Sequence, residues 1–194
     1  MSPEDFDGMR KKIYLTILIG ILFSTGITNA QDIALKTRLT KAAVLSLDAG
    51  VEIGLAPKWT ADFSLTYNPW TLKDNSKWKI LMFEPQLRYW PCQKFFGWFL
   101  TLYSHGGAFN IGNVPLPKLR DMRYEGWFIG GGLGGGYQFI LSRHFSLEME
   151  LGAGFDYSRY DSFLCSVCGK KLEEDRPNKY WGLNKANISL VYYF

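Results

Sequence analysis

Histidine and cysteine are scarce in this chain, with two and three copies among 194 residues. A closed structural zinc site takes four Cys or His ligands. Cys165-Ser-Val-Cys168-Gly169 offers one pair and the chain has no second, so no metal site and no cofactor is expected. Charge of one sign is also lacking. A balance of 22 basic and 18 acidic residues leaves a formal +4, too mild for a nucleic-acid surface, so no nucleic-acid partner is expected. Beyond residue 30 no apolar run could span a membrane as a helix, and no stretch keeps a convincing helical period. An aromatic content of 16% without helices points to a single all-β domain.

Two motifs fail on context. Gly130, Gly132 and Gly135 have the spacing of a dinucleotide loop, but that loop needs a helix opening on the glycines. Here Tyr137-Gln-Phe-Ile-Leu141 and the turn Ser142-Arg143-His144 follow instead. His105 stands beside Ser104, and neighbours on a strand point to opposite faces, so they do not form a nucleophile and base. His144 falls in a turn. No catalytic residue is therefore expected. The competing enzyme reading, an outer-membrane acyl hydrolase or acyltransferase acting on lipid A, lacks a nucleophile.

What is present begins with a targeting signal. Arg10-Lys11-Lys12 precedes an apolar run from Ile13 to Ile27, then Thr28-Asn29-Ala30 with small residues where a signal peptidase reads. The run is shorter than the roughly 20 residues of a spanning helix and is broken by Gly20, Ser24 and Thr25. Residues 1–30 read as a cleaved signal peptide, with Met9 an alternative start, and residues 31–194 as the mature domain. Glu4, Asp5 and Asp7 balance the three basic residues of the signal, so the mature charge is unchanged.

The mature chain alternates. From Phe145 to Tyr157 every odd position is apolar or aromatic, while even positions carry Ser146, Glu148, Glu150, two glycines and Asp156. Similar runs place eight strands near 33–41, 49–56, 59–69, 78–90, 96–109, 122–141, 144–159 and 183–194. Connections after the second, fourth and sixth strands are short. Those after the third, fifth and seventh are longer and polar, with exposed loops expected at 110–121 and 160–182. Such asymmetry is the layout of an eight-stranded antiparallel transmembrane β-barrel, with turns periplasmic and loops extracellular. Trp59, Tyr67, Tyr89, Trp98, Trp127, Tyr137 and Phe139 fall where interfacial girdles belong. A soluble ligand-binding barrel would have to pack these rings inside, where an eight-stranded ring has little room. The last strand ends on Phe194 with apolar residues at every second position before it, like the signal read by the machinery that inserts bacterial outer-membrane barrels.

Gly50-Val-Glu-Ile-Gly54 before Lys58-Trp59, Asn68-Pro-Trp70, Pro85-Gln-Leu-Arg-Tyr-Trp90, His105-Gly-Gly with Asn110, Tyr124-Glu-Gly-Trp127, Gly136-Tyr-Gln138, Leu147-Glu148 and Cys165-x-x-Cys168-Gly169 carry a family resemblance. The chain resembles the small outer-membrane β-barrel family of Bacteroides-type bacteria that carries a domain-of-unknown-function label. It departs at Gln86, where that family would have Glu, and in a poorer first strand. The resemblance implies location in the bacterial outer membrane, contact with outer-membrane lipid and lipopolysaccharide, and a link to surface or fimbrial structures through a partner it does not name. It implies no established activity.

Inward positions collect Lys36, Arg38 and Arg88 opposite Glu52, Asp62, Glu84, Glu148, Glu150 and Asp156. Eight strands leave an interior that side chains fill, and isolated charges there are costly, so a paired plug is expected rather than a charged pore. Cys165 and Cys168 lie in the last expected loop and Cys92 in a turn at the opposite end. An apolar band about 25 Å tall separates them, beyond the reach of a disulfide, so any bridge should be Cys165 to Cys168 with Cys92 free. Pro85 sits within a strand, where a bulge is expected.

Overall fold

The computed structural model describes residues 32–71, 77–113, 122–164 and 171–194. The expected signal peptide, Cys165 and Cys168 lie outside the described residues. The chain divides into Met1–Asp32 and Ile33–Phe194, and the second unit is described here. It holds β1 (Ile33–Arg38), α1 (Leu39–Ala43), β2 (Leu47–Ala56), β3 (Trp59–Asn68), β4 (Lys77–Tyr89), β5 (Gly97–Gly112), β6 (Met122–Ile140), β7 (Phe145–Leu164) and β8 (Lys171–Tyr193). Each strand pairs antiparallel with the next, and β1 closes on β8 from Ala34↔Tyr193 to Arg38↔Ser189, so one sheet forms a ring.

Alternation along each strand sorts side chains into an interior and an exterior. Along β3, Thr60, Asp62, Ser64, Thr66 and Asn68 are buried while Trp59, Phe63, Leu65 and Tyr67 are exposed. The sorting is the reverse of a water-soluble protein's. Glu52, Arg88 and Glu148 are at most 1% exposed, whereas Trp98 and Leu133 are each 69% exposed.

Four features differ from expectation. The first strand stops at Arg38 and turns into α1 rather than running to residue 41. Leu39-Thr-Lys-Ala-Ala43 has no alternation and two alanines of high helix propensity. The short helix packs on β8 and β2. The expected loop at 160–182 is mostly a hairpin, because β7 runs to Leu164 and β8 starts at Lys171. Alternation fails as its signal because both faces of this hairpin are polar. It is laced instead by ion pairs, Arg159 to Asp175 at 2.7 Å, Lys171 to Asp161 at 3.0 Å and Lys171 to Glu174 at 2.8 Å. The loop expected at 110–121 is likewise shortened, since β5 reaches Gly112 and β6 begins at Met122.

Pro85, fourth, causes no bulge. It pairs in register with Phe63 on β3, and the β4–β5 register is continuous from Phe83↔Gly106 to Gln86↔Tyr103 with the ladder interrupted between those two pairs. The missing N–H is absorbed by that interruption, on the β5 side. Bulges occur elsewhere, at Gly54/Ala56 and at three points between β7 and β8.

The strands lengthen toward β8, so the rim at the α1 end climbs around the ring. β1 covers only Ser189–Tyr193 of β8, and among the described residues no strand pairs with that edge of β8 from Lys171 to Ile188. Pro177, Glu173, Glu174 and Asp175 lie along it, the residue types that keep a bare edge from recruiting another strand.

The glycines of β6 and β7 serve close approach. A Cβ at Gly132 would meet the backbone of Ala153 and stand 2.8 Å from Gly154 Cα; at Gly134 it would stand 2.5 Å from the Leu151 carbonyl oxygen. At Gly152 it would lie 2.6 Å from the Tyr103 ring. Gly132→Val and Gly134→Val should therefore each prevent ring closure, seen as loss of the folded species on refolding and of β-sheet circular dichroism, while Leu133→Val on the exterior should refold like the parent.

Candidate functional site

The interior is stacked in three levels. At the end with short turns lies an aromatic floor. Trp90 is fully buried with its ring 4.8 Å from Phe99 and 6.2 Å from Phe95, and Phe95 stands 5.4 Å from Tyr193. The Trp90 backbone N–H donates to the Lys58 carbonyl at 2.9 Å, tying the end of β4 to the turn before β3. Its indole N–H donates to the Thr60 hydroxyl at 3.0 Å, and Thr60 in turn donates to Glu52.

The middle level is a charge cluster centred on Arg88. Its guanidinium lies 2.7 Å from Glu148, 3.1 Å from Glu150, 3.1 Å from Asp62 and 3.3 Å from Glu52. It sits 4.6 Å from the centroid of the Phe99 ring, which joins it to the floor. Lys36 pairs with Glu52, with Glu148 at 2.7 Å and with Asp62 at 3.6 Å. Higher up, Arg38 bridges Asp48 at 3.3 Å and Glu84 at 3.0 Å, and Lys185 bridges Glu84 at 3.0 Å and Glu150 at 2.9 Å. Lys36, Arg38, Arg88 and Lys185 thus face Asp48, Glu52, Asp62, Glu84, Glu148 and Glu150, an excess of acid.

Gln86 mediates within that excess. Its carbonyl oxygen accepts from Arg88 Nε at 3.2 Å and from a second guanidinium nitrogen at 3.0 Å, while its amide donates to Glu84 at 2.8 Å. A glutamate could accept but not donate, and it would add to the surplus. This gives a physical reason for the amide at the position where the family resemblance leads one to expect an acid.

Eight of the nine expected interior residues meet in this cluster. The ninth, Asp156, stands apart in the third level, a vestibule open at the α1 end. There it is 2.9 Å from His105 Nε2, and it accepts from the Asn184 amide at 2.8 Å; the Tyr103 hydroxyl donates to Asn184. His105 is stacked on Tyr103. Among the described residues no hydroxyl or thiol is hydrogen-bonded to His105, whose Asp156 partner occupies the place of an orienting acid. The vestibule has a volume of about 600 Å³, with a further compartment of about 320 Å³ beside it.

Sequence reasoning missed Lys185, Asp48 and His105 as interior groups; Gln86 shares the inward parity of Glu84 and Arg88. Lys185 shares the inward parity of Asn187 and Ser189, a signal that was available. Asp48 precedes the expected start of the second strand. Cys92 is exposed in the β4–β5 connection. Among the described residues no group of three or more His, Cys, Asp or Glu side chains is arranged to hold a metal ion.

A protein-family model described as "Protein of unknown function (DUF3575)" matches residues 14–194. No curated protein and no solved structure matches the chain.

Two substitutions test the charge cluster. Arg88→Met keeps bulk but strands four carboxylates, and should destabilise the fold by about 3–5 kcal/mol, read as a fall in the urea midpoint. Gln86→Glu should cost about 1–3 kcal/mol in the same measurement, whereas Gln86→Met, which loses the bridge without adding charge, should cost less.

Proposed function

We propose, from the premise that the chain belongs to the DUF3575 family, that it is a bacterial outer-membrane β-barrel with a structural or surface-interaction role. The observation that carries this reading is the inverted distribution of polarity. Leu65, Leu81, Phe83, Leu100, Leu102, Ile129, Leu133 and Leu151 are all at least half exposed on the outer wall. Contiguous apolar surface on this scale is foreign to a soluble monomer, and lipid is the solvent that suits it. No helix among the described residues is long and apolar enough to cross a membrane, a fact that does not bear on strands.

The aromatic positions support the same reading. Toward the short-turn end stand the pairs Trp59–Tyr89, Trp98–Tyr137 and Phe145–Tyr192, with ring centroids 5.0, 5.1 and 5.2 Å apart. Toward the α1 end stand Tyr67, Trp127 with Tyr157, and Phe155 with Trp181. At about 3.3 Å per residue and a tilt of about 40°, Trp59 to Tyr67 spans about 20 Å and Phe145 to Tyr157 about 30 Å. These bracket the roughly 25 Å apolar band of such barrels.

In this setting the charge cluster plugs the interior, so solute conduction is not the role proposed. The β7–β8 hairpin and the stepped rim are what the barrel presents outward. Lipid and lipopolysaccharide surround the wall, and the strand ending at Phe194 serves recognition by the insertion machinery. A surface or fimbrial partner would engage the rim.

Fractionation with surface proteolysis tests both parts. The protein should leave the outer-membrane fraction only with detergent and migrate differently on gels before and after boiling. Protease added to intact cells should cut between Arg159 and Lys179. Recovery in the soluble fraction would overturn the membrane assignment, and cleavage confined to the Pro91–Phe95 turn would invert the topology.

A further inference from the structure

The compartment beside the vestibule has an unusual inventory of polar groups. Its apolar wall is made by Val44, Ile80, Met82, Phe109, Ile111 and Phe128. Of its polar residues, Thr66 donates to Asp48 at 2.8 Å and Ser46 accepts from Asn68 at 3.0 Å, so both are satisfied. The other two are donors without acceptors. The buried Trp78 indole N–H has no hydrogen-bond partner, and the Lys41 ammonium makes no hydrogen bond or ion pair among the described residues, although Lys41 lines both this compartment and the main vestibule.

An unpaired buried donor costs about 1–3 kcal/mol, and more if charged. The Trp78 indole N–H is such a donor, and the partly buried Lys41 ammonium is a second unpaired donor lining the same small compartment. Burial, the largest influence, holds the Lys41 ammonium below its ordinary pKa; Arg38 and Lys185 push the same way, against Glu84 and Asp48. α1 is what brings Lys41 here, through its packing on β8 and β2.

We propose that this compartment binds a small amphipathic carboxylate, its head accepting from Lys41 and Trp78 and its apolar body lying against Met82, Phe109 and Phe128. Two donors and no free acceptor select an anion with two acceptor oxygens. The volume of about 320 Å³ is at the small end of ligand pockets, about 300–1,000 Å³, which suits a short aryl or alkyl chain rather than a whole lipid. The main vestibule provides the way in from the α1 end. This inference rests on the interior of the ring and not on the membrane reading, so either can fail without the other.

The test is calorimetric titration of the purified, folded full chain with 4-phenylbutyrate, alongside its neutral amide, with solvent or carrier lacking protein as the blank. Saturable binding of the carboxylate is expected, with the amide weaker by about tenfold or more. Lys41→Met should weaken the carboxylate by a similar factor and leave the amide unchanged. Trp78→Phe, which keeps an aromatic ring and removes the donor, should weaken both. Folding of each variant is checked by its urea midpoint. Absence of saturable binding, equal affinity for acid and amide, or an unaltered Lys41→Met titration would each overturn the proposal.

Discussion

Arg88 within its four carboxylates is the interaction on which the remaining structure depends. The four acids are carried on three strands: Glu52 on β2, Asp62 on β3, Glu148 and Glu150 on β7. A planar guanidinium with five donors can serve several acceptors at once, which an ammonium cannot do with fixed geometry. The interior is so narrow that these groups cannot reach water, so their only compensation is each other. The Phe99 ring beneath Arg88 and the Trp90 ring beside it close the cluster from below.

The exterior follows from the interior. Once the inward faces are committed to charge, alternation leaves only the outward faces for Leu, Phe, Trp and Tyr. Above the level of Lys185 and Glu84 the strands continue but the charges thin out, and Phe109, Phe128 and Met82 take over. The interior thereby changes from packed ions to an open space with an apolar wall. α1 lies at that transition, a piece of helix placed where a strand could not turn inward.

The eight strands and their inward and outward sides were legible because period-two alternation is strong wherever one face is uniformly apolar, as along Phe145–Tyr157. It was silent where that condition lapses. The β7–β8 hairpin beyond Tyr160 is polar on both faces, and only cross-strand pairs such as Tyr160↔Arg176 and Ser162↔Glu173 reveal it as strand. α1 is too short to show a helical period. Charge content of the interior could be read from parity, but the partner of each charge could not, because register between strands distant in sequence decides it. Lys36 and Glu148, far apart in the chain, meet at 2.7 Å. The vestibule was invisible for the same reason, being defined by α1 together with residues from β4 to β8.

The shortest strand has the heaviest electrostatic duty. β1 holds to its neighbours through four register pairs on one side and five on the other, yet it supplies Lys36 and Arg38, half of the cations in the cluster. Until β1 docks, Glu52, Asp62, Glu84 and Glu148 are short of two positive charges. The β1–β2 hairpin can set Lys36 beside Glu52, but Glu148 on β7 comes within reach of Lys36 only when the seam between β1 and β8 closes. Closing the ring and completing the ion pairs that cross it are therefore one event: the ring that survives is the one whose first strand has found its last.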